Sequence, residues 1–151
     1  MKALMRAVLA LSVLLVVGCA GFGTSTVARL SDLPASGSNL NYGAFTRSEV
    51  GHYEANFSLA GVDDSRFQAA ARKALEANGY VVKSDDTGLR VTTGERGLRL
   101  NTWGAVAGVY SKRSGNRLEA KVIVRITQDF TGTLPEDFTG DIEREIRKVL
   151  G

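Results

Sequence analysis

The chain has 151 residues, with 19 Lys and Arg, 16 Asp and Glu, one His and one Cys. Its length suits one domain, and its hydrophobic (44%) and charged (23%) fractions are those of ordinary folded proteins, which excludes wholesale disorder. One Cys excludes an internal disulfide framework, and one His excludes a multi-His zinc site.

The first 18 residues have the features of a secretory signal peptide. Lys2 and Arg6 give a positive start without any acid, and residues 7–17 form a small-or-apolar run interrupted only by Ser12. That run is too short for a membrane-spanning helix, which needs about 20 apolar residues. A positive start followed by a short apolar run therefore predicts a cleaved signal rather than a permanent anchor helix.

The end of this signal, Val16-Val17-Gly18-Cys19, resembles the bacterial lipobox. The resemblance implies diacylglycerol on the Cys19 thiol, cleavage after Gly18 and acylation of the new amino terminus. Two or three acyl chains hold a domain firmly on a bilayer, because each buried CH₂ contributes about 0.8 kcal/mol. Ala20 resembles the default signal for transfer to the outer membrane. Ordinary secretion with a free Cys19 is the alternative.

Removing residues 1–18 changes the charge balance. The formal net charge of +3 belongs to the whole chain, and the remaining 133 residues carry 17 basic and 16 acidic side chains. A nearly neutral chain gives no support for nucleic acid as a partner. The expected partners are the membrane, reached through the lipid anchor, and a protein of the cell envelope.

Residues 19–50 are small and polar, with turn-forming residues throughout. This composition predicts a lipidated flexible tether that holds the domain clear of the lipid head groups. In the alternative interpretation, residues 27–33 or 42–45 dock on the domain as an extra strand or cover.

Residues 51–151 form the predicted domain. Alternating apolar residues predict strands at 52–59 and 117–128, and shorter strands are expected at 80–82, 89–93 and 98–103. Residues 104–110 are rich in small side chains, which suggests a strand with a bulge or a close backbone approach. Apolar stripes at helical spacing predict helices from Asp63 or Asp64 to about Asn78 and from about Pro135 to the end.

The predicted order is β-α-β-β-β-β-α, an α+β two-layer sandwich in which two helices cover one face of an antiparallel sheet of four to six strands. Signal, lipobox, tether and this domain together resemble the small bacterial envelope lipoproteins. The order also resembles the helix-grip domains of a lipoprotein subunit of the outer-membrane β-barrel assembly complex, and more loosely the lipoprotein partner of the lipopolysaccharide-exporting barrel. Fold resemblance does not assign a function.

The sequence predicts no catalytic residue and no metal site. As a general base His52 would need a nucleophile and an orienting acid, but it lies near the start of a strand on the face opposite Tyr53 and Phe57, which predicts an exposed strand histidine. Helix capping explains the acid pair Asp63 and Asp64, and turn formation explains Asp85 and Asp86. We therefore expect a protein without enzymatic activity and without a cofactor beyond the lipid on Cys19.

Charge is unevenly distributed along the domain. Residues 90–125 hold eight basic and two acidic side chains, whereas residues 129–148 hold six acidic and three basic ones. Alternation predicts that several of the basic side chains share the outer face of the sheet beside an aromatic residue: Arg90, Arg99, Trp103, Arg117, Lys121 and Arg125. This surface is a candidate site for an anionic lipid or glycan. A solvated charged face is the alternative.

These observations predict an outer-membrane lipoprotein with a periplasm-facing domain that acts as an accessory or scaffold through protein contacts. The second hypothesis is a binding module for an anionic lipid or glycan on the basic sheet face.

Overall fold

The structure, a computed structural model, describes residues 28–43, 46–49, 51–97, 104–128 and 138–151. Six antiparallel strands form one sheet in the order β1-β2-β6-β5-β4-β3. The elements are β1 (Thr46–Glu49), β2 (His52–Ala60), α1 (Asp64–Ala77), β3 (Val81–Asp86), β4 (Val91–Arg96), β5 (Gly104–Ser114), β6 (Arg117–Gln128) and α2 (Phe138–Leu150).

The predicted α+β class and antiparallel sheet are confirmed. From β2 onward the order is β-α-β-β-β-β-α, and β1 is an additional strand at the edge of the sheet. The predicted strand at 98–103 lies outside the described residues. The turn predicted at Asp85 and Asp86 comes later in the chain, since both residues lie within β3.

The main core lies between the helices and one face of the sheet, which we call the helix face. Alternate residues of β6 point into it, and Leu118, Ala120, Val122 and Val124 are fully buried. The two helices pack on this face through a set of buried aliphatic and aromatic side chains: Phe67, Ala70, Ala71, Ala74, Leu75, Ile142 and Ile146. The alanines let α1 lie close to the strands.

Helix α1 begins and ends where its sequence predicts. The Asp63 carboxylate accepts a hydrogen bond from the Arg66 backbone N–H at 2.7 Å, which caps the first turn. The Ser65 hydroxyl donates a second hydrogen bond to the same carboxylate. The bond from Ser65, followed by that from the Arg66 backbone, holds the pKa of the Asp63 carboxyl below its usual value. Gly79 follows the helix with φ +80°, a left-handed conformation that glycine adopts without strain.

Arg96 connects the sheet to both helices. Its guanidinium lies 4.8 Å from the centre of the Tyr80 ring and 4.7 Å from that of Phe138, and it donates a hydrogen bond to the Asn78 carbonyl. Burial raises the pKa of Tyr80 to about 12, against the opposing influence of the Arg96 charge. Arg96 is therefore a buried residue whose contacts hold the start of α2 near the end of α1.

The opposite face of the sheet, which we call the cover face, is also buried. Residues 28–43, the cover segment, run across it with a single 3-10 turn, Leu30–Asp32. A second core forms between this segment and the strands: Leu33, Val91, Val106, Tyr110 and Ile123, with Ala28, Leu30, Leu40 and Tyr42 around them.

This packing corrects the tether prediction. Residues 28–43 are part of the folded domain, because their apolar side chains complete a face that the helices do not reach. Residues 46–49 belong to the sheet through their antiparallel pairing with β2. Of the two segments named in the alternative, residues 28–33 and 42–43 lie in the cover segment, whereas the extra strand lies at 46–49, beyond both of them. Residues 19–27 lie outside the described residues.

Hydrogen bonds fix the cover segment to the sheet at several points, from the turn before β4 to β2. The Gly37 N–H donates to the Leu89 carbonyl at 2.9 Å, and the Tyr110 hydroxyl donates to the Pro34 carbonyl at 3.0 Å. At the far end the Asn56 side-chain amide donates to the Gly43 carbonyl. Burial raises the pKa of the Tyr110 hydroxyl, which keeps it neutral as a donor.

A small residue of β5 allows the close approach that the sequence predicts, here between the Tyr110 side chain and the backbone at Gly108. A side chain at Gly108 would meet the ring of Tyr110, which lies across the strand at this point. The register shift between Gly104 and Ala105 is the predicted bulge. Glycine at position 108 therefore lets Tyr110 lie flat beneath the cover segment.

Candidate functional site

The structure separates the residues of the predicted basic face. Of the predicted site residues, Cys19, Arg99 and Trp103 lie outside the described residues. The other four, Arg90, Arg117, Lys121 and Arg125, are described and have different surroundings. Their positions show how much of a common anionic site this part of the chain can form.

Lys121 is buried and paired. Its side chain is only 6% exposed, and its ammonium lies 2.5 Å from one carboxylate oxygen of Glu54. The other oxygen of Glu54 lies 2.8 Å from Nε2 of His52. Lys121, Glu54 and His52 thus form a charged cluster on the cover face, with Glu54 between two nitrogen groups. Lys121 offers no free charge to a ligand at the surface.

Glu54 is ionised in this cluster. Burial alone would raise the pKa of its carboxyl group, but the hydrogen bonds and charges of Lys121 and His52 together outweigh burial. They hold the pKa of Glu54 below its usual value of 4.5. The cluster therefore stabilises the fold at neutral pH. In acid the Glu54 carboxylate is protonated, and the cluster loses its negative charge.

Arg125 lies beside this cluster and is half-buried. It pairs in register with His52 on β2 and with Val106 on β5. Its Nε is buried without a hydrogen-bond partner, and none of the described carboxylates forms an ion pair with it. Of the four described basic residues, Arg125 is the one whose charge remains available on the cover face near the cluster.

Arg90 belongs to a different part of the surface. It lies in the turn before β4 with φ 54°, and its guanidinium is 3.5 Å from the Asp64 carboxylate at the start of α1. Arg113 on β5 donates to the same carboxylate at 2.8 Å. Asp64 thus pairs with two arginines, which links α1 to the sheet.

Arg117 is exposed at the start of β6, where it pairs in register with Ala60 and Ser114. It lies on the cover face but at the opposite end of β6 from Arg125. Four residues that alternation places on one open face are therefore divided among a buried pair, a turn and two ends of one strand. The prediction of a single exposed basic face is wrong for the described residues.

The acid pairs of the sequence have structural roles. Asp63 caps α1, and Asp85 accepts hydrogen bonds from Arg72 at 2.9 Å and from Thr92 at 3.0 Å. Within the described ranges, no three His, Cys, Asp or Glu side chains group closely enough to hold a metal ion.

No helix in the described part of the chain is long and apolar enough to cross a membrane.

The comparisons with known proteins assign no family. A scan against protein-family models gives no match, and a search of curated proteins gives no significant match. The resemblance to envelope lipoproteins consequently rests on the lipobox and on the order of the elements.

Sequence reasoning missed the buried cluster and gave the cover segment only as an alternative, although two signals for a covered face are present. Ile123 interrupts the polar residues of β6, which otherwise alternate from Arg117 to Arg125. Residues 104–110 are apolar or glycine at every position, a pattern typical of a strand that is buried on both faces. Both signals indicate that the second face is covered.

Proposed function

We propose that this protein is an outer-membrane lipoprotein, anchored through Cys19, whose periplasm-facing domain acts without catalysis as an accessory or scaffold for another envelope protein. The observation that carries the proposal is that the chain covers both faces of its own sheet. A fold closed in this way offers its outer surfaces to a partner rather than an open sheet face to a small ligand.

The outer surface of the helices supports a role in protein contacts. Exposed charges of both signs alternate along it, and many are already paired, such as Arg144 with Asp141 and Lys148 with Glu145. Mixed charges on a rigid helix surface favour recognition of a partner with complementary charges, and their effect is mainly on specificity and rate of association.

Substitution of the anchor residue is expected to change where the protein resides. Cys19→Ser removes the thiol that would carry diacylglycerol, so the protein should leave the membrane fraction and appear in the soluble periplasmic fraction. Thr24→Ser, a conservative change outside the lipobox, is the matched control and should remain membrane-bound. Retention of the Cys19→Ser protein on membranes after a carbonate wash would contradict the proposal.

In-cell cross-linking tests the partner directly. A photo-reactive side chain at Lys73, exposed on α1, is expected to capture one envelope protein reproducibly, whereas the same group at buried Leu75 is expected to capture none. The captured protein should be identified by mass spectrometry and recovered again by its own affinity tag. Repeated recovery of this protein alone, from every exposed helix position tested, would overturn the accessory role.

A further inference from the structure

The anchored end of the chain enters the domain near one edge of the sheet. The turn at Leu30–Asp32 lies against β4, and β4 is the neighbour of the edge strand β3. Ala28 packs into the core of the cover face. The chain therefore comes to the domain on the cover face, beside the β3 edge.

The covalent chain limits how far this entry point can lie from the lipid. Ala28 is nine residues after Cys19, and nine residues span at most about 32 Å even when fully extended. A domain of this size has a radius of gyration of about 14 Å. The link therefore keeps Ala28 within about 32 Å of the bilayer, so the entry side of the domain can reach the lipid surface.

The same edge carries exposed apolar side chains. Val81 is 59% exposed and Leu89 is 46% exposed, and these are the large hydrophobic residues that are exposed in the described part of the chain. The register of Val81 with Glu95, and of Glu95 with Val106, places Val81 on the cover face. Leu89 contacts the cover segment itself, since its carbonyl accepts hydrogen bonds from Gly37 and Ser36.

We propose that the β3 edge is the membrane-facing surface of this protein, and that Val81 and Leu89 insert into the interfacial layer of the bilayer that holds the Cys19 lipid. This inference rests on the proposed lipid anchor and adds an orientation to it. Apolar side chains beside a lipid anchor gain by leaving water for the interface, and here the short covalent link keeps them within reach.

The charges at this edge indicate which lipids are needed. Lys83 and Arg90 carry positive charge, but Asp85, Asp86 and Glu95 carry negative charge in the same region, and Lys83 lies 3.8 Å from Glu95. An edge with more acids than bases is not attracted to anionic head groups. The contact should therefore be apolar and insensitive to the fraction of anionic lipid.

Site-specific fluorescence in vesicles tests this orientation. The lipidated protein is prepared with Val81→Cys, Leu89→Cys or the control Ala69→Cys, which is exposed on α1. Each introduced thiol carries an environment-sensitive fluorophore, because the native Cys19 thiol is occupied by lipid. The proteins are reconstituted into phosphatidylcholine vesicles containing a nitroxide lipid, and into matched vesicles with one-third phosphatidylglycerol.

Quenching at positions 81 and 89 is expected to be at least about threefold stronger than at position 69, and equal in the two kinds of vesicle. Equal quenching at all three positions in protein that stays on the vesicles would overturn the orientation but leave the anchor intact. Quenching that requires anionic lipid would also overturn it, in favour of electrostatic docking. Loss of all three proteins from the vesicles would instead contradict the lipid anchor.

Discussion

A chain that begins at residue 51 is expected not to fold, although sequence analysis places the start of the domain there. This chain lacks β1 and the cover segment, and it exposes Val91, Val106, Tyr110 and Ile123, which are at most 4% exposed in the structure. Burial of one such side chain contributes about 1.5–3 kcal/mol. Their combined loss is comparable with the whole stability of a typical domain, about 5–15 kcal/mol.

A chain that begins at residue 28 is the matched control, and it should unfold cooperatively in urea with native circular dichroism. The chain from residue 51 should show no cooperative transition and should bind a dye for exposed apolar surface. If both chains unfolded with the same midpoint, the cover segment would be a dispensable attachment rather than part of the core.

Replacement of Lys121 by Met is expected to destabilise the domain by about 1–3 kcal/mol, because it leaves the partly buried Glu54 carboxylate without its main cation. Lys83→Met is the control, since Lys83 is 45% exposed and its pair with Glu95 is long at 3.8 Å. A surface pair of this kind contributes about 0–1 kcal/mol. Urea unfolding at pH 7 measures both changes. A loss for Lys121→Met as small as that for Lys83→Met would refute the role given to the cluster.

The double variant Glu54→Gln with Lys121→Met should be more stable than Lys121→Met alone, because it removes the unpaired charge. The pH dependence provides a second readout. The pKa of Glu54 is lower in the folded state than its usual 4.5, so its stabilisation is present above that value and is lost as the pH falls through the folded pKa. The wild-type protein should therefore lose stability below about pH 4.5 more steeply than Glu54→Gln does.

Local patterns in the sequence predicted the parts of the fold that depend on one element and one face. Alternation identified β2 and β6, and Asp63 and Gly79 marked the ends of α1. These features follow from capping and side-chain periodicity, which are visible within a short stretch of sequence. The two helices and their common face followed from the same reasoning.

The features that sequence reasoning missed, or gave only as an alternative, depend on contacts between distant segments. Alternation along β6 predicts a solvated Lys121, because it cannot show that the partner of Lys121 is Glu54, 67 positions earlier in the sequence. The cover segment is polar and irregular, and its few apolar residues, such as Leu33 and Tyr42, show no period. Only the sheet face that they complete gives them a structural role.

The position of β6 in the sheet has a consequence for the order of folding. β6 lies between β2 and β5, so β2 has no sheet to join until the chain beyond residue 117 is available. The cover segment also depends on β6 for its packing, because it contacts Ile123. Contacts of such long sequence separation form late and slowly. We therefore expect a nascent chain without β6 to stay largely unfolded, which would suit the proposed export of the protein across a membrane as an extended polypeptide.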